Sequence, residues 1–340
     1  MFDFIPSYVF LLVFGLILLI KGGDWFVDAA SGIAKRFKLP EILIGATVVS
    51  IGTTLPEVMT SAMDAAGGKG ELAYGNAIGS IICNTALVAA ITIAIKPAKA
   101  NKKTLIFPVC FFFGAAVLYA FCAYVFGKFD LWIGITLLCS FVVYMIINVV
   151  NMKKKPDEDE SHEEEKLDDP ELPEKNSALG LVKDIVMLIV SAAVIAVGAY
   201  LLVTNATIIA NEIGVPEAVI GLTIVALGTS LPELVTAITA LMKGHGALSL
   251  GNIIGANVFN LVLVSGAAIT INPFSIPEKS EFFGQLSSLV LDIPVVFLVM
   301  GILTIPTIIR GKLSRWQGIV MLVIYVAYVV LQTFFVKTVA

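Results

Sequence analysis

Long apolar runs, separated by short polar connections, divide the sequence into ten candidate membrane-spanning helices. A helix needs about 20 mostly apolar residues to cross roughly 30 Å of hydrocarbon, and each run reaches that length. The runs cover residues 7–30, 41–66, 71–95, 104–127, 129–152, 178–206, 215–242, 247–271, 283–308 and 315–336. This pattern predicts an all-α polytopic membrane protein with ten transmembrane helices.

The composition agrees with a chain that has the bilayer as its solvent. Of the 340 residues, 58% are hydrophobic and 14% are charged, whereas soluble domains average roughly 45–50% apolar and 25% charged residues. The net charge of −4, and the lack of a basic segment with interleaved aromatic residues, argue against nucleic acid as a partner. The lipid bilayer is the expected partner, and the sequence indicates neither a cofactor nor a required protein partner.

Between the fifth and sixth runs lies an acidic segment, residues 153–177, which cannot bury a core and is expected to be a solvated linker. Lys and Arg are retained on the cytoplasmic side of membrane proteins. Connections after odd-numbered runs carry sixteen of these residues, and the opposite connections carry four. The counts predict a multi-pass protein of the cell membrane, with both termini outside the cytoplasm and the acidic linker inside it.

The second half of the chain repeats the first at an offset of 176 residues. Residues 40–84 align without gaps on residues 216–260, and 20 of these 45 positions are identical. Each copy belongs to a unit of five helices, an odd number, so the second unit enters the membrane from the opposite side. The expected organisation is a first repeat at 1–152, the linker at 153–177 and a second, inverted repeat at 178–340. Inverted repeats of this kind are typical of secondary transporters.

Each copy carries a Gly-Thr-Thr/Ser-Leu-Pro-Glu motif halfway along an apolar run, at residues 52–57 and 228–233. The proline leaves the carbonyl four residues earlier without a helical partner. Such a carbonyl is tolerated in a membrane only where it is buried in protein or lines a cavity. An ionised carboxylate near the bilayer centre costs at least a few kcal/mol, so Glu57 and Glu233 at equivalent positions indicate a function. Hydroxyls in the same helical sector complete an oxygen-only set that suits calcium and sodium.

A second duplicated motif reads Gly-Asn-x-Ile-Gly-Ser/Ala, and a further asparagine follows it in both copies. In the first copy Asn76, Ser80 and Asn84 step by four residues and form one polar stripe on a helix. The glycines are expected to let helices pack closely. Asn84 and its counterpart Asn260 are predicted cation ligands. For Asn76 and its counterpart Asn252, a cation contact and a contact with a neighbouring helix both remain open.

These two segments resemble the alpha-repeats of the calcium/cation antiporter superfamily, and specifically of its sodium/calcium exchanger branch. The resemblance covers both repeats and the ten-helix layout, and the paired motifs are highly specific. It implies cation sites between the second, third, seventh and eighth helices, and a sliding gate formed by the first and sixth. The ligands that the resemblance implies are Glu57, Glu233, Thr53, Thr54, Thr229, Ser230, Ser80, Asn84, Asn260 and the backbone carbonyls of Ser50 and Ala226.

Two departures from the family pattern change what the resemblance implies about the ions. Ala256 stands where the first copy has Ser80, so one sodium site is expected to lack a hydroxyl and the stoichiometry stays open. Position 260 is Asn, whereas the potassium-dependent branch has Asp there, which argues against potassium co-transport. Two ionised glutamates carry about −2, which one calcium ion neutralises. Exchange for roughly three sodium ions, the number that the resemblance implies, would be electrogenic.

Three other functions compete with sodium/calcium exchange. A calcium/proton antiporter is the nearest, because a membrane glutamate can carry a proton instead of sodium, and other divalent cations also stay open. A channel usually places one filter on a symmetry axis of several subunits. An enzyme has little support, since the sequence has no Gly-x-Ser-x-Gly elbow, no His-Glu-x-x-His motif and no histidine within a span. The sequence therefore predicts a sodium/calcium antiporter that works by alternating access and is not an enzyme.

Two further groups are expected to have only packing or interfacial positions. The four cysteines, Cys83, Cys110, Cys122 and Cys139, lie in apolar runs without metal-ligand spacing and are expected to face lipid or the core. Asp292 lies near the end of a run and is expected at the membrane interface.

Overall fold

Helices account for most of the chain in the computed structural model, which describes residues 5–37, 39–97, 100–153, 178–212, 228, 230–278 and 280–338. In these ranges the helices are α1 (Ile5–Phe37), α2 (Glu41–Ala66), α3 (Gly70–Ile95), α4 (Lys102–Phe126), α5 (Leu131–Lys153), α6 (Ala178–Glu212), α7 (Leu231–Met242), α8 (Gly246–Ile271), α9 (Ser288–Arg310) and α10 (Arg315–Phe334).

Nine of these described helices are long and apolar enough to cross a membrane. The exception, α7, is a shorter apolar helix, and half of the run expected at residues 215–242 lies outside the described residues. The all-α, ten-helix fold that the apolar runs predict is confirmed. Of the acidic linker expected at 153–177, only Lys153, the last residue of α5, lies in the described part of the chain.

The first helices of the two repeats, α1 and α6, pack against each other along their length in opposite directions. Near one end Gly15 meets Gly198, and a Cβ on either would come within 2.8 Å of the other's carbonyl oxygen. Near the other end Arg36 Nη2 lies 3.0 Å from Asp184 Oδ2. Because equivalent helices run antiparallel, the two repeats have opposite orientations in the membrane, as the odd number of helices in each repeat predicts.

Three of the helices that carry the duplicated motifs form the centre of the molecule. Among the nine spanning helices described, α2, α3 and α8 are the most deeply buried. The backbones of α2 and α8 are in direct contact, since a side chain at Gly45 would overlap the Leu248 carbonyl and one at Gly251 would overlap the Ile42 carbonyl. Small residues permit this approach, as the glycine pattern predicts for Gly251 and Gly255 of the second repeat. At the equivalent Gly75 and Gly79 the prediction is wrong, because a side chain there would meet no neighbouring atom within 4 Å. The central position shields the polar side chains of these helices from lipid.

Glycines and a capping box define where three of the peripheral helices end or begin. The fourth helix of each repeat stops at a glycine in the left-handed region, Gly127 after α4 and Gly311 after α9. A capping box between Ser314 and Gln317 begins α10.

Short strands connect the loops on one side of the helical bundle. The strands are β1 (Lys128–Phe129), β2 (Phe274–Ser275), β3 (Ser280–Phe282), β4 (Gln285–Leu286) and β5 (Val336–Thr338). Antiparallel pairing joins β1 to β2, and β3 to both β4 and β5. The α4–α5 connection, the α8–α9 connection and the segment after α10 therefore lie on the same side, as alternating membrane crossings require.

Candidate ion-binding site

Two fully buried carboxylates, Glu57 and Glu233, lie on the second helix of each repeat. Glu57 follows Pro56, and the helix continues through this proline from Ser50 to Ala66 without a break. Glu233 lies in the first turn of α7, three residues after the N-cap Ser230, where the helix dipole stabilises a negative charge. Neither glutamate exposes any surface. The duplicated sequence motifs thus place one acidic side chain from each repeat inside the protein.

The two carboxylates are close enough to interact electrostatically. Thr54 on α2 donates a long hydrogen bond of 3.4 Å from Oγ1 to Glu233 Oε1, which joins the two repeats. Within the part of the chain that the structure describes, both oxygens of Glu57 and Oε2 of Glu233 have no hydrogen-bond partner. A buried, unpaired carboxylate costs several kcal/mol when ionised. This pair is stable only when cations or protons compensate it.

The predicted ligands Asn84 and Asn260 each begin a turn of π-helix. The turn Asn84–Ala89 interrupts α3, and the turn Asn260–Val264 interrupts α8 at the equivalent position. Such bulges occur often at functional sites. Both asparagines are fully buried, and among the described residues neither amide has a hydrogen-bond partner for its nitrogen or its oxygen. Each turn packs against the glutamate-bearing helix of the other repeat, Asn84–Ala89 on α7 and Asn260–Val264 on α2.

Asn252, on α8, connects the two repeats through its side chain. Its Oδ1 accepts hydrogen bonds from Ser50 Oγ and Thr53 Oγ1, both at 3.3 Å, and its Nδ2 donates to Thr236 Oγ1 at 3.4 Å. Ser50 also donates to the backbone carbonyl of Asn252 at 3.0 Å. The duplicated Gly-Asn motif is the sequence signal for this residue, and of the two readings left open the structure favours a contact with neighbouring helices. The predicted ligand set does not include it.

The remaining described members of the predicted set are buried inside the protein. Thr53, Thr54, Ser80 and Ser230 are all buried, on α2, α3 and the residue before α7. Ser50 is buried where α2 meets α8, with its hydroxyl directed to Gly45 O at 2.7 Å. Two members of the set, Thr229 and Ala226, lie outside the described residues. The roles of these side chains as ion ligands stay predictions.

The described site offers oxygen donors, and its two glutamates carry about −2 when both are ionised. Among the described residues, no three His, Cys, Asp or Glu side chains are grouped so as to hold a metal ion. The site instead combines two carboxylates with hydroxyl and amide oxygens, which hard cations such as calcium and sodium prefer. Because only two of these groups are charged, the set can bind a cation and also release it.

A further buried carboxylate, Asp292, lies outside the two duplicated motifs. It was expected at the membrane interface but is 8% exposed, at the end of a π-helical turn in α9. Tyr328 donates to Asp292 Oδ1 at 3.0 Å and Gln332 donates to the same oxygen at 2.6 Å. Both partners lie on α10, so the carboxylate fastens α9 to α10. The apolar run alone does not reveal that α10 covers this end, and the depth of Asp292 relative to the membrane interface stays a prediction.

Comparison with known proteins identifies relatives of similar length. The family described as sodium/calcium exchanger protein matches residues 7–150 and 183–334. The sodium/calcium exchanger MaX1 of Methanosarcina acetivorans is 31% identical, and the match covers 94% of this chain and 97% of that protein. The uncharacterized membrane protein MJ0091 of Methanocaldococcus jannaschii is 34% identical, with 92% of this chain and 93% of that protein covered.

Solved structures support the same relationship at the level of the fold. The sodium-calcium exchanger NCX_Mj, soaked with 10 mM Na+ and zero Ca2+, matches with a TM-score of 0.78 and 30% identity, over 95% of this chain and 98% of that chain. The family match spans both repeats and so includes both glutamates and both asparagine-bearing turns. By sequence, length and fold, the chain belongs to the sodium/calcium exchanger protein family.

Proposed function

We propose that this protein exchanges sodium for calcium across the cell membrane and that both ions use one site built around Glu57 and Glu233. The observation that carries the proposal is the meeting of these carboxylates, one from each inverted repeat, in a buried region where three of their four oxygens lack hydrogen-bond partners among the described residues. Membership of the exchanger family supports the choice of ions. So does the relative MaX1, which is itself named a sodium/calcium exchanger.

Charge explains how a shared site couples the two fluxes. One calcium ion neutralises two carboxylates, and sodium ions at the same oxygens compete with it directly. The site is therefore occupied by calcium or by sodium, and it changes its access to the two sides of the membrane only when its charge is compensated. Roughly three sodium ions would carry a net positive charge, in which case exchange responds to the membrane potential.

Neutral oxygens complete the proposed coordination of the ions. We assign to it the hydroxyl, amide and backbone oxygens that the family resemblance implies. These are Thr53, Thr54, Thr229, Ser230, Ser80, Asn84, Asn260 and the carbonyls of Ser50 and Ala226. Calcium takes six to eight oxygen ligands, so beside two carboxylates it needs only some of these nine neutral oxygens, and the set is proposed to serve sodium as well.

Alternating access is proposed to come from movement of α1 and α6 as a pair. Their glycine contact at Gly15 and Gly198, together with the Arg36–Asp184 ion pair, holds them to each other at both ends. Their links to the other helices include an ion pair between Asp28 Oδ1 on α1 and Lys243 Nζ, directly after α7, at 2.7 Å. The Asp28 side chain is 64% exposed, and an ion pair this accessible to water is worth little and breaks readily. The central helices would keep the site fixed while the pair slides past them.

In this proposal the protein is a transporter and not an enzyme, and both termini lie outside the cytoplasm with the acidic linker inside. The lysines and arginines of the connections set this orientation. The proposed substrates are calcium and sodium ions, and neither a cofactor nor a protein partner is required for the exchange.

Uptake of radioactive calcium into proteoliposomes tests the proposal. Vesicles that contain the purified protein would be loaded with sodium and diluted into sodium-free medium, and a second set would carry an outward proton gradient instead. We expect calcium uptake with the sodium gradient and background uptake with Glu57→Gln. Uptake driven by protons alone would instead establish a calcium/proton antiporter. A gradient-independent leak through both proteins would refute exchange at the two glutamates.

A further inference from the structure

Asn257, on α8, is tied to the π-helical turn of the other repeat by a buried hydrogen bond. Its Nδ2 donates to Thr85 Oγ1 at 2.7 Å and lies 3.2 Å from Met300 Sδ on α9. Thr85 directly follows Asn84, the first residue of the turn in α3, and its own hydroxyl donates to the Ile81 carbonyl at 2.8 Å. Asn257 and Thr85 are both fully buried. The bond therefore joins the two repeats beside a proposed ion ligand.

The same amide carries a buried oxygen that is not satisfied. Asn257 Oδ1 has no hydrogen-bond partner among the residues that the structure describes. A buried carbonyl oxygen without a partner lowers stability, and an apolar side chain of similar shape would avoid this cost. The asparagine therefore contributes through the donor side of its amide. A π-helical turn is an uncommon conformation, and a hydrogen bond from a neighbouring helix stabilises it against relaxation to an ordinary α-helix.

The contact between Asn257 and Thr85 is not duplicated. At the offset of 176 residues, the residue equivalent to Asn257 is Ile81 and the residue equivalent to Thr85 is Leu261. Both are buried and apolar, so neither can form a hydrogen bond through its side chain. Asn257 lies three residues before Asn260 and thus on the same side of α8. The turn of the first repeat is therefore tied to the helix segment that carries the ligand of the second.

We propose that Asn257 is a positioning residue of the ion site and that, through Thr85, it sets the spacing between Asn84 and Asn260. The inference rests on the proposed function, because it acts through these two proposed ligands. Selectivity among divalent cations that take oxygen ligands depends on the size and flexibility of the site. A turn that is held in place keeps the site at the size of calcium, whereas a released turn lets it expand around a larger ion. Asn257 therefore favours calcium over barium, which also takes oxygen ligands but is larger.

Equilibrium binding to the purified protein tests the proposal without any transport. Unlabelled calcium or barium would displace radioactive calcium from Thr85→Val, which removes the hydroxyl and keeps the shape of the side chain. We expect the dissociation constant for calcium to rise about fivefold and that for barium to stay within about twofold, since the smaller ion depends more on the held turn. Thr85→Ser keeps the hydroxyl and should bind both ions like the wild type. An equal change for both ions, or Thr85→Ser with the affinities of Thr85→Val, would overturn the proposal.

Thr92→Val is the matched control on the same helix. Thr92 is buried, and its hydroxyl donates to the Ala89 carbonyl of its own helix at 2.8 Å. The change removes a hydrogen bond within α3 and leaves the contact between the repeats intact, so both ions should bind as in the wild type. A shift equal to that of Thr85→Val would show that the loss of any buried hydroxyl on α3 has this effect, and would contradict the proposal.

Asn257→Leu removes the other partner of the same hydrogen bond. We expect it to weaken calcium binding about as much as Thr85→Val does. The double variant should show the loss of one change and not the product of two, because both changes break one bond. A product of the two losses would show that the residues act independently and would contradict the proposal. If Asn257→Leu does not fold, the comparison of Thr85→Val with Thr85→Ser decides the matter.

Binding and transport together separate this inference from the proposed function. A calcium-selective loss of binding in Thr85→Val, in a protein without sodium-driven uptake, would support the positioning role and refute exchange. Sodium-driven uptake with unchanged calcium binding in Thr85→Val would support exchange and refute the positioning role.

Discussion

The two copies of the motif use the same asparagine in different ways. In the first repeat, Asn76 Nδ2 donates to Glu57 O at 3.2 Å and to Ser61 Oγ at 2.8 Å, both within its own repeat. In the second repeat, Asn252 accepts hydrogen bonds from Ser50 and Thr53 of the other repeat. The identical residue thus supports a glutamate-bearing helix in one copy and joins two repeats in the other.

A single replacement between the copies accounts for part of this difference. Asn252 meets the hydroxyl of Ser50, whereas the sequence has alanine at 226, the position equivalent to Ser50, so Asn76 has no hydroxyl to meet there. The same substitution recurs at Ser80 and its counterpart Ala256. Both extra hydroxyls therefore belong to the first repeat. Duplication conserves the positions of the charged groups while the polar network around them becomes asymmetric.

The largest expected effect on calcium uptake comes from replacing the two glutamates, which occupy equivalent positions in the two repeats. Glu57→Gln and Glu233→Gln should each lower sodium-driven calcium uptake by about a hundredfold or more, because each removes one of two charges that calcium requires. Uptake into proteoliposomes measures this. The matched control is Glu71→Gln, at an exposed glutamate in the first turn of α3, which should keep the wild-type rate. A Glu233→Gln protein with normal uptake would show that the copies are not equivalent.

The two asparagines that begin the π-helical turns should also behave alike, with a smaller effect. Asn84→Ala and Asn260→Ala should each raise the half-saturating calcium concentration about tenfold, since each removes one neutral oxygen ligand but no charge. The control is Asn148→Ala, at a buried asparagine on α5 that donates to the Tyr144 carbonyl. Initial rates of uptake at varied calcium measure the constants. If only one of the two variants raises the half-saturating calcium concentration, the cation contacts only one of the two turns.

The asparagines of the Gly-Asn motif should differ in their effect on stability. Asn252→Ala leaves Ser50, Thr53 and Thr236 without this partner and should lower the free energy of unfolding by about 1–3 kcal/mol. Asn76→Ala should cost less, because Asn76 is only partly buried and water can replace its contacts. Thermal unfolding in detergent compares the two variants directly. Equal losses would show that the inter-repeat hydrogen bonds contribute no more than those within a repeat.

The smallest expected effect comes from restoring the missing hydroxyl. Ala256→Ser gives the second repeat the residue that the first has at position 80, and should lower the half-activating sodium concentration by roughly two- to threefold, because a hydroxyl is a neutral sodium ligand. The sodium dependence of calcium uptake measures it. The control, Ala268→Ser, adds a hydroxyl at another buried alanine of α8. Equal shifts of the half-activating sodium concentration in both variants would show that a hydroxyl at position 256 has no particular role in sodium binding.

The sequence predicts the parts of this molecule that depend on composition and duplication. Apolar runs predict the helices because the membrane requires about 20 residues per span. The repeat at an offset of 176 residues identifies Glu57 and Glu233 because both copies carry glutamate at this position. The domain boundaries and ligand roles stay predictions.

The rest depends on contacts between helices that no local pattern encodes. The π-helical turns at Asn84 and Asn260 and the bonds from Asn252 to the other repeat appear only once α2, α3 and α8 are packed. Cys83 illustrates the same limit. In the sequence it is one of four cysteines in apolar runs, and only the packing of α10 against α3 brings the Tyr325 hydroxyl to 4.0 Å from its sulfur.

Equilibrium binding of radioactive calcium to the purified protein tests the central claim most directly. The claim is that the two glutamates form one site that calcium and sodium share. It predicts about one calcium ion per chain in the wild type, displaced by added sodium, and calcium binding lost in both Glu57→Gln and Glu233→Gln. Calcium that stays bound at high sodium, or that binds normally when either glutamate is replaced, would contradict a shared site.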